Sequence, residues 1–116
     1  MSSEIGSAVK FAKIKHIYFV GIGGIGMSGI AELLINQGFH VTGSDLNSTP
    51  ITKHLITKGA QVANGHDPDL VFKADVVVKS SAVKDDNPEI IAARSNKIPV
   101  IRRAEMLAEI MRMSYG

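Results

Sequence analysis

The 116-residue chain contains no cysteine. Disulfides, zinc-finger sites, thiol catalysis and redox switching are therefore excluded, and the composition suits a reducing compartment. An excess of charge of one sign is lacking too: 13 Lys and Arg against 11 Asp and Glu leave a formal net charge of +2. A dedicated nucleic-acid binder usually carries a concentrated basic patch, so nucleic acid is not an expected partner. No long hydrophobic run is present. The most apolar stretch, residues 17–35, is broken by glycines at 21, 23, 24, 26 and 29 and contains Glu32. A membrane-spanning helix needs about 20 mostly apolar residues without such breaks, so no membrane partner is expected. Residues 1–15 hold no apolar core ahead of a small-residue cleavage site; they read as a lead-in with Lys10, Lys13 and Lys15 solvated, not as a secretory signal. The Walker pattern G-x-x-x-x-G-K-[ST] is also missing, which argues against ATP hydrolysis by this segment alone.

What is present suits one folded domain over residues 16–116: 45% of the residues are hydrophobic, enough for a core at this length. Five short apolar runs, at residues 17–20, 40–43, 61–63, 75–78 and 100–101, are mostly continuous rather than alternating. Strands buried on both faces of a parallel sheet read this way. Helix-length segments separate them, so the expected class is α/β: a doubly wound, five-stranded parallel sheet with flanking helices in three layers. Three of the four prolines follow a capping side chain, in Thr49-Pro50, Asp67-Pro68 and Asn87-Pro88. The cap oxygen accepts a free N–H, and proline at the first helical position gives up no needed donor. These pairs predict helices over residues 50–58, 68–73 and 88–96. Two more are expected over 26–36, with Ile30, Ala31, Leu33 and Leu34 inward, and over 103–113, with Met106, Leu107, Ile110 and Met111 forming a core stripe.

The informative stretch is the loop VGIGGIGMSG. Gly21, Gly23 and Gly26 make G-x-G-x-x-G between a buried strand and a helix. In that setting the glycines allow a tight turn, close approach of a pyrophosphate to the backbone, and close packing of helix on strand. The helix N-terminus adds free N–H groups and partial positive charge. A mere connecting turn is a poor alternative, because each glycine costs ~0.5–1 kcal/mol relative to alanine in a regular element. Asp45, at the end of the second strand, stands where an acidic residue accepts hydrogen bonds from ribose hydroxyls, or else serves as a cap. On these residues alone, NAD is the ordinary expectation.

Ligands of such sheets sit outside the carboxyl ends of the strands. His66 and the Ser80-Ser81-Ala82 turn should reach that edge. The serines can bind a phosphate or sugar hydroxyl, or simply cap a turn. His66 can meet a base or ribose, or be an ordinary loop residue. Arg102 and Arg103 read chiefly as a solvated helix start, with an anion contact by one of them as the alternative. The four histidines show no metal-ligand spacing, and there is no complete catalytic constellation.

Three stretches in order, HIYFVGIGGIGMSGIAELLINQGFHVTGSD, VVVKSSAVKDDNPEI and IPVIRRAEMLAEIMR, resemble the Mur ligase family over nearly the whole chain. The resemblance implies a cytoplasmic enzyme of peptidoglycan synthesis with a Rossmann-like first domain that holds UDP-N-acetylmuramate rather than NAD. It implies ATP and magnesium in a central domain and an amino-acid-binding third domain. A carboxylate is phosphorylated and then attacked by an amine. The family's ATP loop would begin just after Gly116, so this chain is expected to bind the UDP moiety without catalysing, to use no cofactor of its own, and to pack on the central domain. By position, Gly24, Ile25, Gly26, Met27 and Ser28 would contact the diphosphate, Asp45 the ribose, Ser80, Ser81 and Ala82 the uridine side, and His66 the uracil. The phrase GIGGIGMSGIAE favours the branch that adds L-alanine over the branch that recycles a tripeptide.

Overall fold

The computed structural model of the chain describes residues 14–114, with side chains through residue 109. The lead-in expected over residues 1–15 lies almost entirely outside the described residues, as do the side chains of Ile110 and Met111. Five strands alternate with five helices: β1 His16–Val20, α1 Met27–Asn36, β2 His40–Asp45, α2 Pro50–Thr57, β3 Gln61–Asn64, α3 Pro68–Val71, β4 Val76–Lys79, α4 Pro88–Ser95, β5 Val100–Arg102 and α5 Arg103–Ser114. All strand pairings are parallel, in the order β3-β2-β1-β4-β5. The chain moves outward from β1 to β3, then crosses back to β4 on the other side of β1. That reversal opens a crevice at the carboxyl ends of β1 and β4, the place where such sheets bind ligands.

The continuous apolar runs are explained by two cores, one on each face. Ile17, Phe19, Val76 and Val78 pack with Met27, Ile30 and Leu34 of α1, Leu55 of α2 and Met106 of α5. The alternate residues Tyr18, Val20 and Val77 pack with Val71 of α3 and with Ile90 and Ala93 of α4. The central strands β1 and β4 thus feed both layers with period two, whereas β2 also buries the polar Thr42 and Ser44. Truncating a central residue such as Phe19, which is fully buried, to alanine should cost about 3–5 kcal/mol. Thr49, Asp67 and Asn87 all cap their helices as expected, each accepting a backbone N–H, with Pro50, Pro68 and Pro88 just inside. Two apolar residues depart from expectation: Leu33 and Leu107 face solvent at 39% and 38% exposure. Each helix lies on one face of the sheet only, so its buried stripe is narrower than the apolar count implies.

At the amino edge of the sheet, His16 is held on both ring nitrogens. Nδ1 lies 2.8 Å from the Lys73 carbonyl oxygen and Nε2 2.7 Å from Thr42 Oγ1. A carbonyl only accepts, so Nδ1 carries a proton and the neutral ring accepts from the Thr42 hydroxyl at Nε2. His40 stacks on His16 with ring centroids 4.4 Å apart. Burial, and then His40, lower the His16 pKa below its ordinary 6.5.

Candidate functional site

The glycine loop turns at the carboxyl end of β1 and leads directly into α1. Its own hydrogen bonds set its shape. Gly21 and Ile22 donate N–H to the Ser44 carbonyl, both at 2.9 Å, which ties the loop to the end of β2. Gly24 N–H goes to the Gly21 carbonyl at 3.0 Å, and Met27 and Ser28 N–H go to the Gly24 carbonyl at 3.0 and 3.3 Å. Gly23 N–H goes to Asp45 Oδ2 at 2.9 Å. The amides of Ile25 and Gly26 have no acceptor among the hydrogen bonds of the described residues. Gly26 is the N-cap of α1 at φ +82°, a left-handed conformation that favours glycine, and it offers no side-chain cap. In contrast, α2, α3 and α4 all carry side-chain caps. With no acidic residue in its first turn, α1 points an uncapped, partly positive N-terminus at the crevice.

Two cavities adjoin the loop and share Gly21. One, of about 210 Å³, lies over the ends of β1, β2 and β3 and is lined by Ser44, Asp45, Asn47, His66 and Asn87 among others. The other, of about 530 Å³, runs from Gly24, Ile25 and Met27 across to Ser80, Ser81, Ala82, Arg102 and Arg103. Their electrostatic characters are opposite. The first has the Asp45 carboxylate on its wall and Glu89 beneath its floor. The second has two arginines and the N-terminus of α1.

The residues singled out in the sequence therefore divide into groups. Asp45 and His66 share the first cavity. Gly24, Ile25, Met27, Ser80, Ser81 and Ala82 share the second, although the Met27 side chain is buried in the core and contributes backbone only. Ile25 is fully exposed at the loop tip. Ser28 does not join them: it lines a separate hollow between α1 and α2, with Glu32, Ile51 and His54. Gly23 is glycine for a reason the motif does not state. A Cβ there would lie 2.8 Å from Thr52 Cγ2 and 2.9 Å from Asp45 Oδ2, so the close approach it permits is to α2 and Asp45.

Sequence reasoning ranked one contributor, Arg103, below a solvated role and passed over two more. Arg103 lies against Gly26, since a Cβ on that glycine would stand 3.2–3.4 Å from Arg103 Cδ, Nη1 and Nε. Its signal is a cation at the start of a helix, where the dipole disfavours one. Asn87 joins the first cavity while also capping α4. Glu89, one residue past Pro88, is fully buried. It accepts from the Tyr18 hydroxyl, from the Ser44 hydroxyl at 2.6 Å and from Asp67 N–H at 2.9 Å. Burial, and next the bond to Glu89, push the Tyr18 pKa far above its ordinary 10.0, so the phenol remains a donor. Nothing in the sequence marks this glutamate, because its three donors come from β1, β2 and the turn after β3.

Comparison with known proteins bears on the family and the fold. The family described as Mur ligase family, catalytic domain, matches residues 16–115. The chain is 63% identical over 107 residues to the UDP-N-acetylmuramate–L-alanine ligase of Syntrophobacter fumaroxidans, covering 91% of this chain and 23% of the relative. It is 61% identical over 106 residues to the corresponding ligase of Geotalea daltonii, with the same coverage of 91% and 23%. Among solved structures, the UDP-N-acetylmuramate–alanine ligase of Thermotoga maritima superposes with a TM-score of 0.80 at 38% identity, over 86% of this chain and 23% of that one. A UDP-N-acetylmuramate:L-alanyl-γ-D-glutamyl-meso-diaminopimelate ligase from Neisseria meningitides gives 0.75 at 33% identity, over 83% and 31%. The chain thus spans about a quarter of the length of the curated relatives it matches. A glycine loop between two cavities at the sheet's switch point, together with a family match running from β1 to the end of α5, establishes that the chain belongs to the Mur ligase family.

Proposed function

We propose that this chain is the UDP-N-acetylmuramate-binding part of a cytoplasmic, ATP-dependent ligase that joins L-alanine to that sugar nucleotide in peptidoglycan synthesis. The observation that carries the reading is the pair of adjoining cavities with opposite electrostatic character. A nucleoside diphosphate is complementary to this pair, with an uncharged, hydrogen-bond-donating base and ribose for the acidic end and two anionic phosphates for the basic end. In this reading the ribose lies against Asp45 and the base against His66. The diphosphate passes Gly21 and the Gly23–Gly24 turn to the amides of Ile25 and Gly26. Ser80, Ser81 and Ala82 form the facing wall, and Arg103 adds positive charge. Met27 and Ser28 lend the first turn of α1, with Ser28 the more distant of the two.

ATP and magnesium are assigned to no residue of this chain. Its sequence has no G-x-x-x-x-G-K-[ST] loop, and among the described residues no three His, Cys, Asp or Glu side chains converge as a metal site. In this reading the chain binds and orients the sugar nucleotide, and the central and third domains of such a ligase supply the chemistry. Identities of 63% and 61% to curated L-alanine ligases favour L-alanine as the second substrate; among the solved structures the margin is 38% for the alanine ligase against 33% for the tripeptide-type ligase. No helix among the described residues is long and apolar enough to cross a membrane.

Titration with UDP, UDP-N-acetylmuramate and NAD, followed by amide NMR, tests the proposal. UDP and the UDP-sugar are expected to shift the amides of residues 23–28, Asp45 and His66, and NAD to leave them in place. Tight NAD binding without a response to UDP would remove it.

A further inference from the structure

Glu89 gives the first cavity a property that its lining residues do not have on their own. All three groups hydrogen-bonded to the carboxylate donate, the arrangement expected around an ionised acceptor. The charge sits in the first turn of α4, where the helix dipole favours an anion, and Asn87 Oδ1 takes the Glu89 N–H at 2.8 Å. His66 is its fourth neighbour. The imidazole Nδ1 lies 3.6 Å from Glu89 Oε1, an electrostatic contact longer than a hydrogen bond. The carboxylate is fully buried, whereas the His66 side chain is 39% exposed and lines the cavity. The Nδ1 edge of the ring therefore faces the buried charge, which leaves the Nε2 edge to the cavity.

We infer that Glu89 is a positioning residue that sets the tautomer of His66, placing the ring proton on Nδ1 and presenting Nε2 to the cavity as a hydrogen-bond acceptor. A lone pair on Nδ1 would point at a carboxylate oxygen in a buried setting, and an N–H points there favourably. The same logic orients a metal-bound histidine through a carboxylate on its other nitrogen. An acceptor facing the cavity selects a base that brings a ring N–H. Uracil has one at N3, and cytosine has a lone pair at the same position. The selectivity rests on the nucleotide-binding reading above; the tautomer is a property of the chain alone.

Glu89→Gln separates the two tautomers with little change of shape. The Tyr18 hydroxyl and Asp67 N–H both use Oε2, so the glutamine carbonyl must take that place. Its NH2 then replaces Oε1, where the Ser44 hydroxyl can rotate to accept from it and His66 Nδ1 meets a donor. Nitrogen-15 NMR of the imidazole at pH 8, above the ordinary histidine range, reads the tautomer directly. The wild-type ring is expected to be protonated on Nδ1, and Glu89→Gln to move that proton to Nε2. In parallel, the preference for UDP over CDP should fall about tenfold in the variant, the worth of one hydrogen bond, with inorganic pyrophosphate binding unchanged. A wild-type ring protonated on Nε2, or a tautomer indifferent to Glu89→Gln, overturns the inference. A reversed tautomer with an unchanged UDP-to-CDP ratio overturns the selectivity. The wild-type spectrum decides the tautomer even if the variant fails to fold. An Nδ1-protonated ring in a protein that binds neither UDP nor CDP leaves the role of Glu89 standing and removes the proposed function instead.

Discussion

Gly23 N–H donates to Asp45 Oδ2 at 2.9 Å, so the second glycine of the loop and the acidic residue at the tip of β2 hold each other in place. The other carboxylate oxygen of Asp45 accepts Asn47 N–H at 3.0 Å. Asp45 therefore has a structural duty, shaping two turns around the crevice, in addition to the proposed ribose contact. Asp45→Ala should lower UDP affinity by roughly 1.5–3 kcal/mol, the range for a lost hydrogen bond to a charged group. Calorimetric titration measures this, with circular dichroism as the check on folding. An unchanged affinity would reduce Asp45 to its turn-forming role.

Gly23→Ala tests the same relationship from the other side. The new Cβ meets Thr52 Cγ2 at 2.8 Å and Asp45 Oδ2 at 2.9 Å, so the loop or the start of α2 must shift. Overpacking of this kind costs typically about 1–3 kcal/mol. Thr52 cannot simply turn away, because its hydroxyl bonds Thr49 N–H and the Thr49 carbonyl, both at 2.9 Å, in a reciprocal capping arrangement. Thr52→Ser keeps that hydroxyl and removes the methyl. The double substitution should recover part of the urea-denaturation loss of Gly23→Ala, and no recovery would place the strain at Asp45 alone.

The two arginines that follow β5 should not behave alike. Arg103 packs on Gly26 beside the N-terminus of α1. Arg102 is 68% exposed and pairs with Glu105 at 3.5 Å. Arg103→Ala is expected to weaken UDP binding about tenfold and to reduce its salt dependence, and Arg102→Ala to change it by about twofold or less. Arg103→Lys should restore the charge but not the planar fork, and so recover affinity only in part. Titrations at two salt concentrations distinguish these outcomes, and equal losses for the two alanine variants would contradict the geometry.

The parts legible in the sequence obey local rules. Thr49-Pro50, Asp67-Pro68 and Asn87-Pro88 started helices because cap and proline act on their own backbone. The continuous runs at β1 and β4 became strands buried on both faces because period two feeds both layers. The glycine loop announced its turn, and Asp45 its place at the strand tip. What stayed hidden depends on convergence across the sheet. Glu89 looks like any first-turn glutamate until β1, β2 and the turn after β3 bring it Tyr18, Ser44 and Asp67. Arg103 looks solvated until β5 sets it beside Gly26. Ser28 belongs to the loop by sequence, but the rotation of α1 turns it toward α2. Leu33 fits an apolar stripe by spacing, yet only one face of α1 meets the sheet.

Stability should fall on mild acidification through His16. Its folded-state pKa lies below the ordinary 6.5, first through burial and then through His40, while hydrogen bonding to the Lys73 carbonyl and the charge of Asp75 oppose the shift. Between the folded and unfolded pKa values the unfolded chain binds more protons than the native one, so unfolding free energy rises with pH across that window. The contribution of the neutral ring is thus fully present above pH 6.5 and is lost as pH falls through the folded pKa. Protonation would also turn Nε2 from an acceptor of the Thr42 hydroxyl into a second donor and set a cation against the stacked His40. Urea-denaturation midpoints from pH 8 to pH 5 should fall more steeply for the wild type than for His16→Asn, which cannot titrate but can keep a donor toward the Lys73 carbonyl. Parallel curves for the two proteins would show that other groups carry the acid sensitivity.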